Sequence, residues 1–263
     1  MLTGLLTLHI AGKMKQIMWM VTDDGKQELP YASKNFTVDF IRTKRKQTIA
    51  TMNIRYPGVK TTILFSHGNA TDIGCMRDHL IDIALQLRVN ITCYDYSGYG
   101  LSSGKASIKN VLADVEAVFA FLFDRFGCTE QDIILYGQSL GSGPTLHLAS
   151  KHTVRGIILH SALMSGLRVI RDVDKTSWYD IFPNVDTIRK ATSPIFVIHG
   201  TMDEEIPIRH GYGLVEAAPV RYDPWFVEGA GHNNIEVHWR REYVAKVKEF
   251  LDFLDSRYQT VMP

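Results

Sequence analysis

The chain has 263 residues, 45% of them hydrophobic, a length that suits one large α/β domain able to bury a sizeable core and an enclosed pocket. Its 29 basic and 28 acidic residues leave a formal net charge of +1, so no overall field draws it toward nucleic acid or any other polyanion. Three scattered cysteines, Cys75, Cys93 and Cys128, are too few for a disulfide framework or a zinc site, and their odd number fits buried thiols in a reducing compartment.

No apolar run reaches the roughly 18 residues of a spanning helix, and Met1 to Ile10 lack the basic start and small-residue cleavage site of a secretory signal. A cytoplasmic protein is expected, with any membrane contact peripheral. Residues 1 to 34 are read as an N-terminal extension in which Met14, Met18, Trp19 and Met20 stand among Lys13 and Lys15. A membrane-surface helix usually shows a fuller basic face, which favours packing against the domain of residues 35 to 263.

Asn35 to Ile41 and Thr48 to Tyr56 alternate like two strands of a hairpin. The basic run between them, Arg42 to Lys46, is read as a solvated tip guarding a sheet edge, with contact to anionic lipid as the other reading. Thr61 to Ser66 is a third strand and ends in His67-Gly68-Asn69-Ala70-Thr71-Asp72, ahead of a helix over about 72 to 87. Asp72 or Thr71 caps that helix in this reading, and His67 holds the loop's backbone. Val89 to Tyr94 is a fourth strand. Gly98, Gly100 and Gly104 after it fail as a dinucleotide loop, because the third glycine falls one residue late and no helix starts there. The core spacing of Val111, Val115, Val118 and Leu122 predicts a helix over 108 to 126.

Asp132 to Tyr136 is a short apolar run of the kind buried on both faces of a parallel sheet, and Gly137-Gln138-Ser139-Leu140-Gly141 breaks it. Gly-x-Ser-x-Gly alone is an ordinary turn sequence as often as a nucleophile elbow. A phosphate loop is excluded because no lysine follows the glycines. As an elbow it would strain Ser139 and aim it off the sheet's carboxyl edge, with a helix from about 144 to 151 pointing its positive end at the same place.

Val154 to Ser161 is the next strand. About thirty residues then pass before Pro194 opens another, and this insertion, about 162 to 193, mixes Leu163, Met164, Leu167, Trp178, Tyr179 and Phe182 with Arg168 and Arg171. It is read as a short cap beside the elbow, with a packed surface excursion as the alternative. The strand from Pro194 to Ile198 leads into His199-Gly200-Thr201-Met202-Asp203-Glu204-Glu205, where Asp203 is preferred over its two acidic neighbours as an acid able to reach a histidine. Pro224 to Val227 is the last strand and opens into Glu228-Gly229-Ala230-Gly231-His232. Of the ten histidines, His232 alone stands in a glycine-lined loop after the final strand. A helix from about 240 to 258 closes the chain.

Serine, acid and histidine in this order match the α/β-hydrolase arrangement, a mostly parallel central sheet with an antiparallel N-terminal hairpin and helices on both faces. Ser139 would attack a carbonyl carbon, His232 would shuttle the proton and Asp203 would orient the imidazole. Backbone N–H groups of Leu140 and Asn69, with Ala70 as fallback for the latter, would hold the oxyanion. This chemistry needs neither a metal nor an organic cofactor.

The runs Ser66 to Asp72, Tyr94 to Gly100, Tyr136 to Gly141, His199 or its neighbour through Asp203-Glu204, and Glu228 to Asn233 together resemble the alpha/beta-hydrolase-domain-containing protein 17 group, over about residues 36 to 258. The resemblance implies a serine hydrolase that removes palmitoyl chains from protein cysteines, with an S-acylated protein or acyl ester as substrate. It also implies an acylated N-terminal cysteine cluster, whereas the first cysteine here is Cys75, inside the domain. Constitutive membrane attachment is therefore not carried over. The competing functional readings are a carboxylesterase or monoacylglycerol lipase, more remotely a serine peptidase, and a hydrolase-fold protein that only binds.

Overall fold

The computed structural model describes residues 35–171, 173 and 175–261. The N-terminal extension read for residues 1 to 34 lies outside them. The chain divides into two compact units, one up to Cys128 and one from Thr129.

In the first unit β1 (Phe36–Arg42) and β2 (Thr48–Ile54) form the expected antiparallel hairpin, in register from Phe36 opposite Ile54 to Arg42 opposite Thr48. β2 runs antiparallel to β4 (Asn90–Tyr94), and β3 (Thr62–Ser66) runs parallel to β4, giving the order β1-β2-β4-β3. β3 and β4 are buried throughout, which is why they read as continuous apolar or β-branched runs, and β2, read as alternating, is buried almost throughout as well. The hairpin tip turns through Lys46 at φ 63°, and Lys44 pairs with Glu116 of the helix α2 (Ile108–Phe126). α1 (Ile73–Leu87) is capped by Asp72, whose Oδ1 accepts the Cys75 N–H at 2.9 Å.

The glycine-rich loop after β4 closes on a carboxylate. Asp95 accepts the N–H of Ile73 at 2.9 Å and of Leu101 at 3.2 Å. A Cβ on Gly100, which has φ 42°, would stand 2.0 Å from Asp95 Oδ2. Gly100 thus serves the wrapping of the loop around its own aspartate, the physical reason its spacing does not match a dinucleotide loop.

In the second unit β5 (Ile133–Gln138), β6 (Gly156–His160), β7 (Ile195–Gly200) and β8 (Trp225–Val227) are parallel neighbours in that order. β5 runs two residues further than the apolar pattern predicts, because Gly137 and Gln138 still pair with Leu159 and His160 of β6. α3 (Ser142–Ala149) begins two residues before Pro144, after a single 3₁₀ turn over Ser139–Gly141. The insertion holds two short helices, α4 (Gly166–Ile170) and α5 (Asn184–Thr187), and α6 (Arg209–Ala217) follows β7. A one-turn helix, α7 (Ile235–His238), precedes α8 (Arg240–Val261), and it was not legible from periodicity because four residues carry less than one heptad of pattern. Tyr243, Val247, Phe250 and Leu254 of α8 are buried. No helix among the described residues is long and apolar enough to cross a membrane.

Candidate active site

β5 delivers its chain into the 3₁₀ turn with Ser139 at φ 51°, the left-handed region that a residue with a Cβ seldom occupies. Gly137 makes the turn possible. A Cβ there would lie 2.7 Å from the Gly141 carbonyl and 2.8 Å from Ser142 Cα, both backbone atoms that cannot move aside. The Ser142 hydroxyl donates to the Ser139 carbonyl at 2.6 Å and accepts from Asn184 Nδ2 at 3.0 Å, so α5 of the insertion helps fix the turn. Leu140 follows within the same turn.

Around Ser139 the second unit gathers two more side chains. His232 Nε2 lies 3.0 Å from Ser139 Oγ, and His232 Nδ1 lies 2.7 Å from Asp203 Oδ2. Residues 93 positions apart are thereby brought within hydrogen-bond reach. Asp203 and His232 are both buried. The other carboxylate oxygen, Asp203 Oδ1, accepts the N–H of Glu205 at 3.0 Å and of Ile206 at 2.7 Å. Burial by itself would raise this carboxyl, but hydrogen bonds from His199, His232 and Ile206 outweigh it and hold Asp203 well below the usual carboxylate range.

Glu204 and Glu205, the neighbours that sequence could confuse with Asp203, are exposed. Glu205 accepts from Asn233 Nδ2 at 3.0 Å and keeps its other oxygen 3.8 Å from His232 Nε2. The glycine-lined loop that carries His232 is pinned more firmly than its composition suggests. Asn234 Oδ1 accepts the Gly231 N–H at 2.9 Å, the Ala230 carbonyl accepts the Met202 N–H at 2.8 Å, and Ser161 Oγ donates to the His232 carbonyl at 3.3 Å. A Cβ on Gly200 would stand 2.3 Å from the Ala230 carbonyl, so β7 and the histidine loop touch backbone to backbone.

Asn69 stands in the first unit, on the loop after β3. Its Oδ1 accepts the Tyr99 hydroxyl at 2.8 Å, the Tyr96 hydroxyl donates to the His67 carbonyl at 2.7 Å, and Ala70 takes φ 58°. His67 is buried with its Nδ1 donating to the Gly68 carbonyl at 2.7 Å, and burial pushes its ring down to about 4. A histidine so enclosed stays neutral and fixes the loop. Among the described residues no group of three or more His, Cys, Asp or Glu is placed to hold a metal ion.

The chain is 49% identical over 212 residues to alpha/beta hydrolase domain-containing protein 17C of Xenopus tropicalis, a match that covers 80% of this chain and 68% of the relative. The chain belongs to the alpha/beta hydrolase domain-containing protein 17 family. Human protein 17B of that family is 45% identical over 80% of this chain and 73% of its own length. The broader Hydrolase_4 family, described as serine aminopeptidase S33, matches residues 57–179. Among solved structures the esterase Pf2001 of Pyrococcus furiosus superposes with a TM-score of 0.71 at 18% identity, over 87% of this chain and 94% of that one. The ferulic-acid-bound Est1E of Butyrivibrio proteoclasticus gives 0.66 at 16% identity, over 83% of this chain and 99% of that one. The fold is accordingly that of an alpha/beta hydrolase, mostly parallel in its strands with an antiparallel N-terminal hairpin.

Three features of this alpha/beta hydrolase domain-containing protein 17 chain escaped the reading of its sequence. Ser142 and Asn184 brace the Ser139 turn, Ser161 at φ 46° steadies the histidine loop, and His199 reaches Asp203 at 3.3 Å. Ser142 and Ser161 carried no signal that marks them among the chain's other serines. His199 did, since it stands next to a glycine at a strand end four residues before the preferred acid.

Proposed function

We propose that the chain is a serine hydrolase whose nucleophile is Ser139, with His232 as base and Asp203 as its partner, and that its substrate is the thioester of an S-acylated cysteine on a protein. The observation that carries the reading is the relay of 3.0 Å from Ser139 Oγ to His232 Nε2 and 2.7 Å from His232 Nδ1 to Asp203 Oδ2. In this mechanism His232 Nε2 accepts the hydroxyl proton as Oγ adds to the carbonyl carbon. The imidazolium then returns that proton to the departing thiolate, leaving an acyl-Ser139 ester. A water deprotonated by His232 hydrolyses the ester and frees the fatty acid. The backbone N–H of Leu140 is proposed to receive the oxyanion, worth roughly 3 to 4 kcal/mol in the transition state. Ionised and tied by four donors, Asp203 keeps the Nδ1–H tautomer of His232 in place throughout.

Support for the thioester comes from family membership at 49% identity, and the esterases among the structural neighbours support ester cleavage as the second reading. The protein is proposed to act in the cytoplasm, meeting membranes peripherally. Two measurements test the proposal. Fluorophosphonate labelling should occur on the wild-type protein and vanish in Ser139→Ala; a protein that never labels is not an active serine hydrolase. Turnover of a palmitoyl-cysteine peptide should exceed that of short p-nitrophenyl esters. Strong preference for short esters would instead make it a carboxylesterase.

A further inference from the structure

The acid at the end of the relay has a second histidine on it. His199, in β7, is completely buried, and its Nε2 lies 2.7 Å from the Ile206 carbonyl and 3.3 Å from Asp203 Oδ2. Both neighbours can only accept a hydrogen bond, so Nε2 must carry the hydrogen and share it between them. The neutral ring is then the Nε2–H tautomer. Asp203 thereby receives four donors. Glu205 N–H and Ile206 N–H reach one oxygen, and His232 Nδ1 and His199 Nε2 reach the other.

The ring is closely packed. Gly211 of α6 packs against it so tightly that an added Cβ would stand 3.0 Å from His199 Nδ1 and 3.1 Å from the Phe226 ring. His210, the neighbouring titratable side chain on α6, accepts the Met164 N–H at 3.0 Å on its Nδ1. Burial holds its ring down to about 4, so at neutral pH it places no charge beside His199. A closely packed donor facing a carboxylate oxygen fixes the direction in which that oxygen points.

We infer that His199 is a positioning residue for the hydrolytic reaction, clamping the Asp203 carboxylate in the orientation that serves His232. The inference rests on Ser139, His232 and Asp203 being the working triad. A carboxylate held only by His232 and the two backbone groups could rotate about its Cβ–Cγ bond. His232 would then lose the alignment on which proton transfer from Ser139 depends, and displacements of this size cost on the order of 10- to 100-fold in rate.

The test compares His199→Met, which keeps volume and removes the donor, with His199→Gln, whose amide nitrogen can take the place of Nε2. Labelling by a fluorophosphonate and turnover of a thioester substrate are both measured. His199→Met should lower the labelling rate and kcat by roughly 10- to 100-fold with KM unchanged. His199→Gln should restore most of the loss. In an Asp203→Ala background His199→Met should cost less than about twofold, since a residue acting through Asp203 has nothing left to act on. Equal losses in both backgrounds, or a His199→Met protein that labels at the wild-type rate, overturn the inference while leaving the triad reading intact. Absence of labelling in the wild type overturns the triad reading itself. Should His199→Met fail to fold, ¹⁵N shifts of the wild-type histidines decide the point: an Nε2–H His199 at neutral pH is expected, and an Nδ1–H ring refutes the clamp.

Discussion

Ser139 is asked to hold a left-handed backbone at φ 51° for the sake of where its hydroxyl points. Replacing it with alanine keeps the Cβ and the strain, so Ser139→Ala should unfold at the wild-type temperature while hydrolysis falls by roughly 10⁴-fold or more, read by calorimetry and by turnover. Gly137 shows the complementary dependence. Its absent Cβ leaves room for the Gly141 carbonyl at 2.7 Å, so Gly137→Ala should lose activity and also destabilise the fold, by roughly 1 to 3 kcal/mol in denaturant titration. Asp203 carries the residue-scale pH dependence. Its folded carboxyl sits below the ordinary range, so the unfolded chain takes up its proton first as pH falls. The stability it contributes is complete at neutral pH and disappears through and below the usual carboxylate range. Asp203→Asn should therefore be less stable than the wild type at pH 7, with the difference shrinking in acid.

Between elements, the insertion after β6 meets the helix of the elbow at one contact that decides its placement. Phe182, buried and at φ 45°, lies so close over Gly143 of α3 that a Cβ there would fall 2.4 Å from its ring. Asn184 adds a hydrogen bond to Ser142 at 3.0 Å and another to the Leu163 carbonyl at 2.9 Å. Gly143→Ala should push the ring out, and hydrogen exchange across residues 182 to 188 should then quicken, with hydrolytic turnover reduced through the shared brace on Ser142. At the start of α1, Asp72→Ala removes the acceptor of the Cys75 N–H and should cost about 1 kcal/mol, measured by chemical denaturation.

Over the whole molecule, the buried titratable groups divide by unit. In the first, burial raises Asp95 and Asp114 to about 6 and lowers His67 to about 4. Between about pH 4 and 6 the two folded carboxyls bind protons that the unfolded chain has released, which favours folding as pH falls; His67 opposes this alone. In the second unit burial lowers His210 to about 4, and Asp203 is held low as well. Both lose stability as pH falls, His210 from about 6.5 downward and Asp203 in stronger acid. Hydrogen exchange at pH 5 against pH 7, corrected for intrinsic rates, should show protection falling in residues 129 to 261 and held or gained in residues 35 to 128. The opposite ranking would mean that other groups set the acid response.

The elements that alternate or run apolar for five residues or more were legible from the chain alone, because burial on a sheet face or a helix stripe leaves a period in the sequence. β1 to β7, α1, α2 and α8 fall in this group. Local chemistry also narrowed the cap to Asp72 or Thr71 and excluded a phosphate or dinucleotide loop at the glycines. The order of Ser139, Asp203 and His232 was readable too, since each follows a strand. Their approach to 3.0 and 2.7 Å was not, because residues 93 and 29 positions apart meet only when β5, β7 and β8 take their places in the parallel order. The brace from Asn184, the pin from Ser161 and the clamp from His199 were decided by tertiary structure alone. A hydrogen bond between distant side chains leaves no periodicity and no spacing rule, so composition and motif name the candidate reacting groups while packing determines what holds them still.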